Sequence, residues 1–197
     1  MTTEQLKVWR GDFGNEWTDR NTIDPKTRIE TFKKLLSNLK VNSVLEIGCG
    51  AGHNLIALSE IFPDAELFGI EPNPHAVTLG QHKCRYLPIE IEFGNCFSIP
   101  HVKPFDLVLT CGVLMHVSAS DLLLTINEIN RVSGKYILIM EYFSEKEIAI
   151  PYHGHSNLLF KRDYKNLFPN LKGTGLLTKE EGFDKVTWWL FEKGVKQ

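Results

Sequence analysis

Apolar positions along the chain form short continuous runs separated by stretches of helical period, the pattern of strands alternating with helices. From Pro25 a helix is expected, with Ile29, Phe32, Leu35, Leu36 and Leu39 on one face. Asp24 is its candidate N-cap and Pro25 its first turn. Strands are expected at Ser43–Ile47, Glu66–Ile70, Ile89–Phe93, Asp106–Cys111 and Lys135–Tyr142. Helices are expected between them at Asn54–Ile61, Pro74–Cys84 and Ser120–Val132, the last with Leu123, Leu124, Ile126, Ile129 and Asn130 in its periodic pattern. Apolar strands separated by helices predict a parallel sheet covered on both faces. The tail breaks the alternation. A short helix is expected at Lys161–Phe168, then strands at Lys172–Lys179 and Lys185–Lys193 joined by a turn at Glu180–Gly182. Residues 1–24 read as a short helix and an irregular arm, ahead of one domain at 25–197.

Composition narrows the class without changing that picture. The chain has 197 residues, 43% hydrophobic and 23% charged, as an ordinary globular domain does. A net charge of -2 and a pI near 6.4 leave no global basic field to attract nucleic acid. Four cysteines without a CxxC pair, and an N-terminus without an apolar leader, predict a reduced, cytoplasmic setting. No apolar run approaches the roughly 20 residues of a membrane span.

The most informative segment is Val44–His53, VLEIGCGAGH, a strand entering a glycine loop that opens a helix. Gly48, Gly50 and Gly52 form G-x-G-x-G, with Cys49 inside it. Dinucleotide loops read G-x-G-x-x-G, and an acid entering such a loop would repel pyrophosphate. Glu46 does enter this one. Its carboxylate suits S-adenosylmethionine, which has an ammonium and a sulfonium and no phosphate. Glu71 ends the next strand about 20 residues on, where a carboxylate can accept from both ribose hydroxyls; Pro72 and Asn73 follow it. After the third strand, Asn95 is a candidate for the adenine amino group, with Cys96 and Phe97 lining the ring. Cys111 and Val113 lead from the fourth strand into the cleft between donor and acceptor.

VLEIGCGAGHNL, FGIEPN, FGNCFSIP and FDLVLTCGVLMHV resemble the successive motifs of class I S-adenosylmethionine-dependent methyltransferases over residues 43–117. The resemblance implies a Rossmann-like, three-layer αβα fold whose seven-stranded sheet has an antiparallel last strand. A narrower likeness extends over most of the chain. WRGDFG from Trp9, the segment Trp17–Asn21, EYF from Glu141, PYHGH from Pro151 and LFKRDY from Leu159 are similar to the methylases associated with pseudaminic acid biosynthesis. Trp17 stands where that group has Tyr. This likeness implies an acceptor that is a sugar, a nucleotide-activated sugar or a related polar small molecule.

Methyl transfer is an in-line displacement, so the protein mainly orients the reactants and excludes water. A hydroxyl acceptor needs a general base, and a neutral amine has only to lose its proton around transfer. His116 is a candidate base or else a structural histidine. Tyr142, Tyr152, His153 and His155 follow the fifth strand, on the ligand side of such sheets. They read as acceptor wall and proton acceptors. The His153–His155 pair lacks a neighbouring carboxylate or cysteine, so no metal is expected. Lys161 and Arg162 are candidates to hold an anionic group of the acceptor, or form a solvated helix start with Asp163. Trp9 and Trp17, with Arg20 and Asn21, make the arm either a lid over the donor or a patch on the core. Other functions remain open: a methyltransferase of another metabolite, or a non-catalytic module that keeps the pocket.

Overall fold

The computed structural model describes residues 2–194; Met1 of the expected arm and residues 195–197 of the expected domain lie outside the described residues. Seven strands form one sheet in the order β3-β2-β1-β4-β5-β9-β8. The first five in sequence are β1 (Ser43–Ile47), β2 (Glu66–Glu71), β3 (Ile89–Phe93), β4 (Phe105–Cys111) and β5 (Ser133–Glu141), all mutually parallel. β9 (Val186–Glu192) runs antiparallel between β5 and β8 (Leu171–Leu177). The expected terminal hairpin is therefore built into the sheet, closed by a turn at Lys179–Glu181 whose Thr178 and Glu181 form a capping box.

Alternate residues of the central strands feed two cores. Val44, Leu107, Leu109, Leu138 and Met140 pack on one face with Phe32, Leu36, Leu55 and Leu58. These last residues come from α3 (Lys26–Leu36) and α4 (His53–Ser59), beside α5 (Pro74–Cys84). Leu45, Ile47, Val108, Ile137 and Ile139 pack on the other face with Ile129 and Val132 of α6 (Ala119–Val132). The doubly wound, three-layer reading thus holds. Among the described residues no helix is long and apolar enough to cross a membrane.

Four local expectations need correction. The arm is two helices, α1 (Glu4–Arg10) and α2 (Asp12–Arg20), which meet at Gly11. The expected helix at Lys161–Phe168 is absent. Instead β6 (Ile148–Tyr152) and β7 (His155–Lys161) form a separate hairpin, with His153 and Gly154 at φ 47° and 86° in its two-residue turn. The buried face of α6 is Thr125, Ile129 and Val132, whereas Leu123 and Leu124 are exposed. Asp24 accepts from the Lys26 amide, but α3 has Pro25 itself as its N-cap.

Candidate active site

The carboxyl ends of β1, β2, β4 and β5 open into a cavity of about 420 Å³, roofed by α1 and α2 and by Tyr152 of the β6–β7 hairpin. Its floor is the glycine loop. Gly48 sits at φ 70°, and a Cβ there would meet Val113 Cγ2 at 2.5 Å. Any larger residue would have to displace the turn after β4. Gly52, at φ 79°, caps α4 and lies beneath the lining, where a Cβ would strike Ile91.

Three glutamates stand at or one residue before the ends of apolar strands, and all three are buried against the cavity. Glu46 is 1% exposed; Oε1 accepts from Asn54 Nδ2 at 2.6 Å and Oε2 has no partner. Asn54 is held in turn by Arg28 Nη1 at 2.6 Å. Burial pushes the Glu46 carboxyl up to about 8, against the opposing pull of Asn54 and Arg28. Glu71 accepts from the amides of Gly50 and Asn73, each at 2.9 Å, and burial raises it to about 7. Glu141 accepts from the amides of Val113, Leu114 and Met115 at 3.0, 2.9 and 3.2 Å, and burial raises it to about 7. It fixes the turn that carries His116.

His116 Nδ1 donates to the Leu158 carbonyl, 2.6 Å away. A carbonyl has no proton to give, so Nδ1 carries the hydrogen and Nε2 is the ring's acceptor. Burial lowers the imidazole to about 4, so it is neutral at pH 7. The Trp9 ring packs edge-on against it at 4.6 Å, and Tyr152 lies 5.5 Å away.

The cavity brings together Trp9, Trp17, Asn21, Glu46, Gly48, Cys49, Gly50, Glu71 and Pro72 of the expected site. Asn95, Cys96, Phe97, Cys111, Val113, His116, Tyr142 and Tyr152 line it too. The remaining expected residues lie outside the lining, for physical reasons. Asn73 is a joint: its side chain caps α5 through Ala76 and donates to the Trp9 carbonyl and Asn15 Oδ1 of the arm. Arg20 is exposed and stacks over Phe13. His153 and His155 pack edge-on against that same Phe13 ring, at 5.8 and 5.5 Å. Lys161 Nζ lies 5.3 Å from the Tyr142 ring centroid. Arg162 is buried and committed, pairing with Glu147 and donating to the Leu114 carbonyl. It ties the hairpin to the turn after β4, with Nη2 buried and unpartnered away from the cavity lining. Among the described residues no group of three or more His, Cys, Asp or Glu could hold a metal.

Arg28, Asn54, Glu141 and Asp184 line the cavity without having been singled out in the sequence. Glu141 had a visible signal, since it ends an apolar strand as Glu71 does. Arg28 had none, because on α3 it reads as a solvent-facing position.

Residues 44–135 match a family model described as a methyltransferase domain. No curated protein matches the sequence. Solved structures share the fold at low identity. The 1,6-didemethyltoxoflavin-N1-methyltransferase of Burkholderia thailandensis, with bound 1,6-didemethyltoxoflavin and S-adenosylhomocysteine, superposes with a TM-score of 0.74. The two are 14% identical over 98% of this chain and 91% of that one. Magnesium protoporphyrin IX methyltransferase of Synechocystis PCC 6803, with bound S-adenosylhomocysteine, gives 0.73 at 13% identity, over 96% of this chain and 98% of that one. A coclaurine N-methyltransferase gives 0.67 at 10% identity, over 90% of this chain and 60% of that one. The chain therefore has the fold of the class I S-adenosylmethionine-dependent methyltransferases, and the segment bearing its glycine loop matches a methyltransferase domain.

Proposed function

We propose that the protein transfers a methyl group from S-adenosylmethionine to an amino or hydroxyl group of a polar small molecule, with a sugar-derived acceptor as the first class to test. The observation that carries the donor reading is the buried, unpartnered Glu46 Oε2 at the mouth of a glycine loop. An isolated buried carboxylate oxygen is costly, and an ammonium would satisfy it. A pyrophosphate beside it would be repelled. Glu71 keeps a lone pair on each oxygen for ribose hydroxyls, since each oxygen accepts a single amide. Asn95, with Cys96 and Phe97, suits the adenine end, and the arm serves as a lid through Trp9, Trp17 and Asn21.

The bound donor would supply the activated methyl group at its sulfonium. The chain's own part is orientation and exclusion of water. Glu141 holds the turn so that His116 Nε2 faces the cavity as a fixed acceptor. With its low proton affinity the ring orients an acceptor hydrogen rather than storing a proton. Tyr142 and Tyr152 form the acceptor wall. The sugar class rests on the sequence likeness of the arm and hairpin. Four free cysteines among the described residues suit a reducing, cytoplasmic compartment.

Calorimetric titration with S-adenosylmethionine, S-adenosylhomocysteine and NAD tests the reading. Saturable binding of the first two alone is expected. Binding of NAD alone would sink it and make Glu46 a structural acid.

A further inference from the structure

This inference rests on the donor reading above and concerns the other end of the same cavity. The formally charged side chains in the lining are Arg28, Glu46, Glu71, Glu141 and Asp184, one cation against four acids. The cation is already committed. Arg28 donates to Asn54 and to the Gly182 carbonyl, and its guanidinium stacks on Phe183 at 4.3 Å. Nearby, Lys161 is set over the Tyr142 ring, Arg162 pairs with Glu147, and Lys83 Nζ lies 2.8 Å from Nε2 of the lining residue His53. Among the described residues, no uncommitted cation therefore lines the cavity to receive a phosphate.

The acceptor end has a different polar inventory. Asp184 stands exposed at the mouth, and its Oδ2 accepts from the Tyr142 hydroxyl at 3.4 Å, a long bond that a better donor would displace. Glu141 is spent on three amides, so Asp184 is the carboxylate at that end with capacity to spare. Tyr142 and Phe183 stand beside it, and Trp9 and Tyr152 line the same cavity, aromatic rings whose faces attract a positive charge.

We infer that the acceptor is an amine on a ring-sized scaffold without phosphate, its nitrogen held by Asp184 and Tyr142 among aromatic walls. The amine enters as an ammonium and passes one proton by way of Asp184 to water at the mouth. Its freed lone pair forms the new N–C bond at the methyl carbon, the C–S bond breaks, and that electron pair stays on sulfur. The methylated amine departs as an ammonium, so charge and protons balance. Among sugars this selects amino sugars and rejects nucleotide-activated ones.

The test is calorimetric titration of protein saturated with S-adenosylhomocysteine. The probes are glucosamine, glucose and glucosamine 6-phosphate, and the matched set cyclohexylmethylamine, cyclohexylmethanol and cyclohexylmethyl phosphate. The amines are expected to bind most tightly in each set. Asp184→Asn should weaken the amines about fivefold, the upper range for a solvent-facing ion pair. Asp184→Glu should restore most of that, with affinity for S-adenosylhomocysteine unchanged in both variants. The inference is overturned if a phosphate binds as well as its amine, if Asp184→Asn loses nothing, or if neither amine binds while S-adenosylhomocysteine does. Failure of S-adenosylhomocysteine itself to bind would instead overturn the donor reading.

Discussion

The donor half and the acceptor half of the cavity are built on different principles. The donor half is local: Glu46, the glycine loop, Asn54 and Glu71 come from two adjacent strands and one helix within 26 residues. Its polar groups are held by one another and by backbone amides. The acceptor half is assembled from the arm, the turn after β4, the β6–β7 hairpin and the Phe183–Asp184 segment. Side chains tie these pieces together: Gln5 of the arm to the Asn157 carbonyl of the hairpin, Arg162 to the turn, and the Tyr142 hydroxyl to Asp184, while Asn73 fastens the arm to the donor half. A site fixed by local backbone tolerates change elsewhere, while one assembled from distant pieces depends on its ties.

The largest expected effect breaks the donor half alone. Glu46→Gln should weaken S-adenosylmethionine by about 30-fold or more, the cost of removing one member of a buried charge pair. The same change should raise Tm at pH 8 and leave it nearly unchanged at pH 5. The sign follows from the raised carboxyl at about 8. In the wild type, folding stability is lost as pH rises from the ordinary carboxylate range toward 8, because the folded state holds a proton the unfolded chain gives up. Glutamine has no such loss. A variant that binds the donor normally would separate Glu46 from the ligand.

For the same reason, wild-type donor affinity should rise between pH 6 and pH 8, by up to about tenfold per unit where one proton must leave. Arg28, Glu71, Cys49 and Cys111 face Glu46, and Glu71 adds to the trend with its own raised value of about 7. Calorimetry in buffers of different ionisation heat would show the released proton, and a flat profile would refute it. Next in size, Gly48→Ala should weaken the donor about tenfold, because its Cβ meets Val113 Cγ2 at 2.5 Å on top of roughly 1–3 kcal/mol of backbone strain at φ 70°; Gly50→Ala, at φ 53° with no atom within 4 Å, carries the backbone strain alone and should cost less.

Smaller effects sharpen the contrast. Arg162→Met should lower Tm and loosen the hairpin, read as faster amide exchange of residues 148–161, while shifting donor affinity less than about threefold. Deleting residues 1–24 should weaken the donor about fivefold if the arm is a lid over it. Unchanged affinity would make Trp9 and Trp17 a patch on the core.

The same contrast explains what could be read from the sequence. VLEIGCGAGH carries its own geometry, since glycines at positive φ and an acid at a strand end are local facts, and the strands around it were placed within a few residues. The β6–β7 hairpin was missed because β6 is short and mostly exposed, and Lys161–Phe168 shows spacing that suits a helix. Arg162 looked like an anion ligand because burial against Leu114 and Glu147 is a tertiary event. Leu123 and Leu124 misled in the opposite way: apolar residues on α6 simply remain in water.

Asn73 gives this architecture one further property. A single amide side chain fastens the arm, caps α5 and stands beside the backbone N–H that steadies Glu71. The roof is therefore riveted to the donor floor, and the Phe183 wall is tied to Glu46 through Arg28 and Asn54, while the hairpin hangs from other supports. Substrate preference can drift by reshaping that hairpin, residue by residue, without disturbing the machinery that receives the donor. A graft of a foreign hairpin onto this chain, leaving Asn73 and its partners intact, would inherit a working donor cradle from the outset.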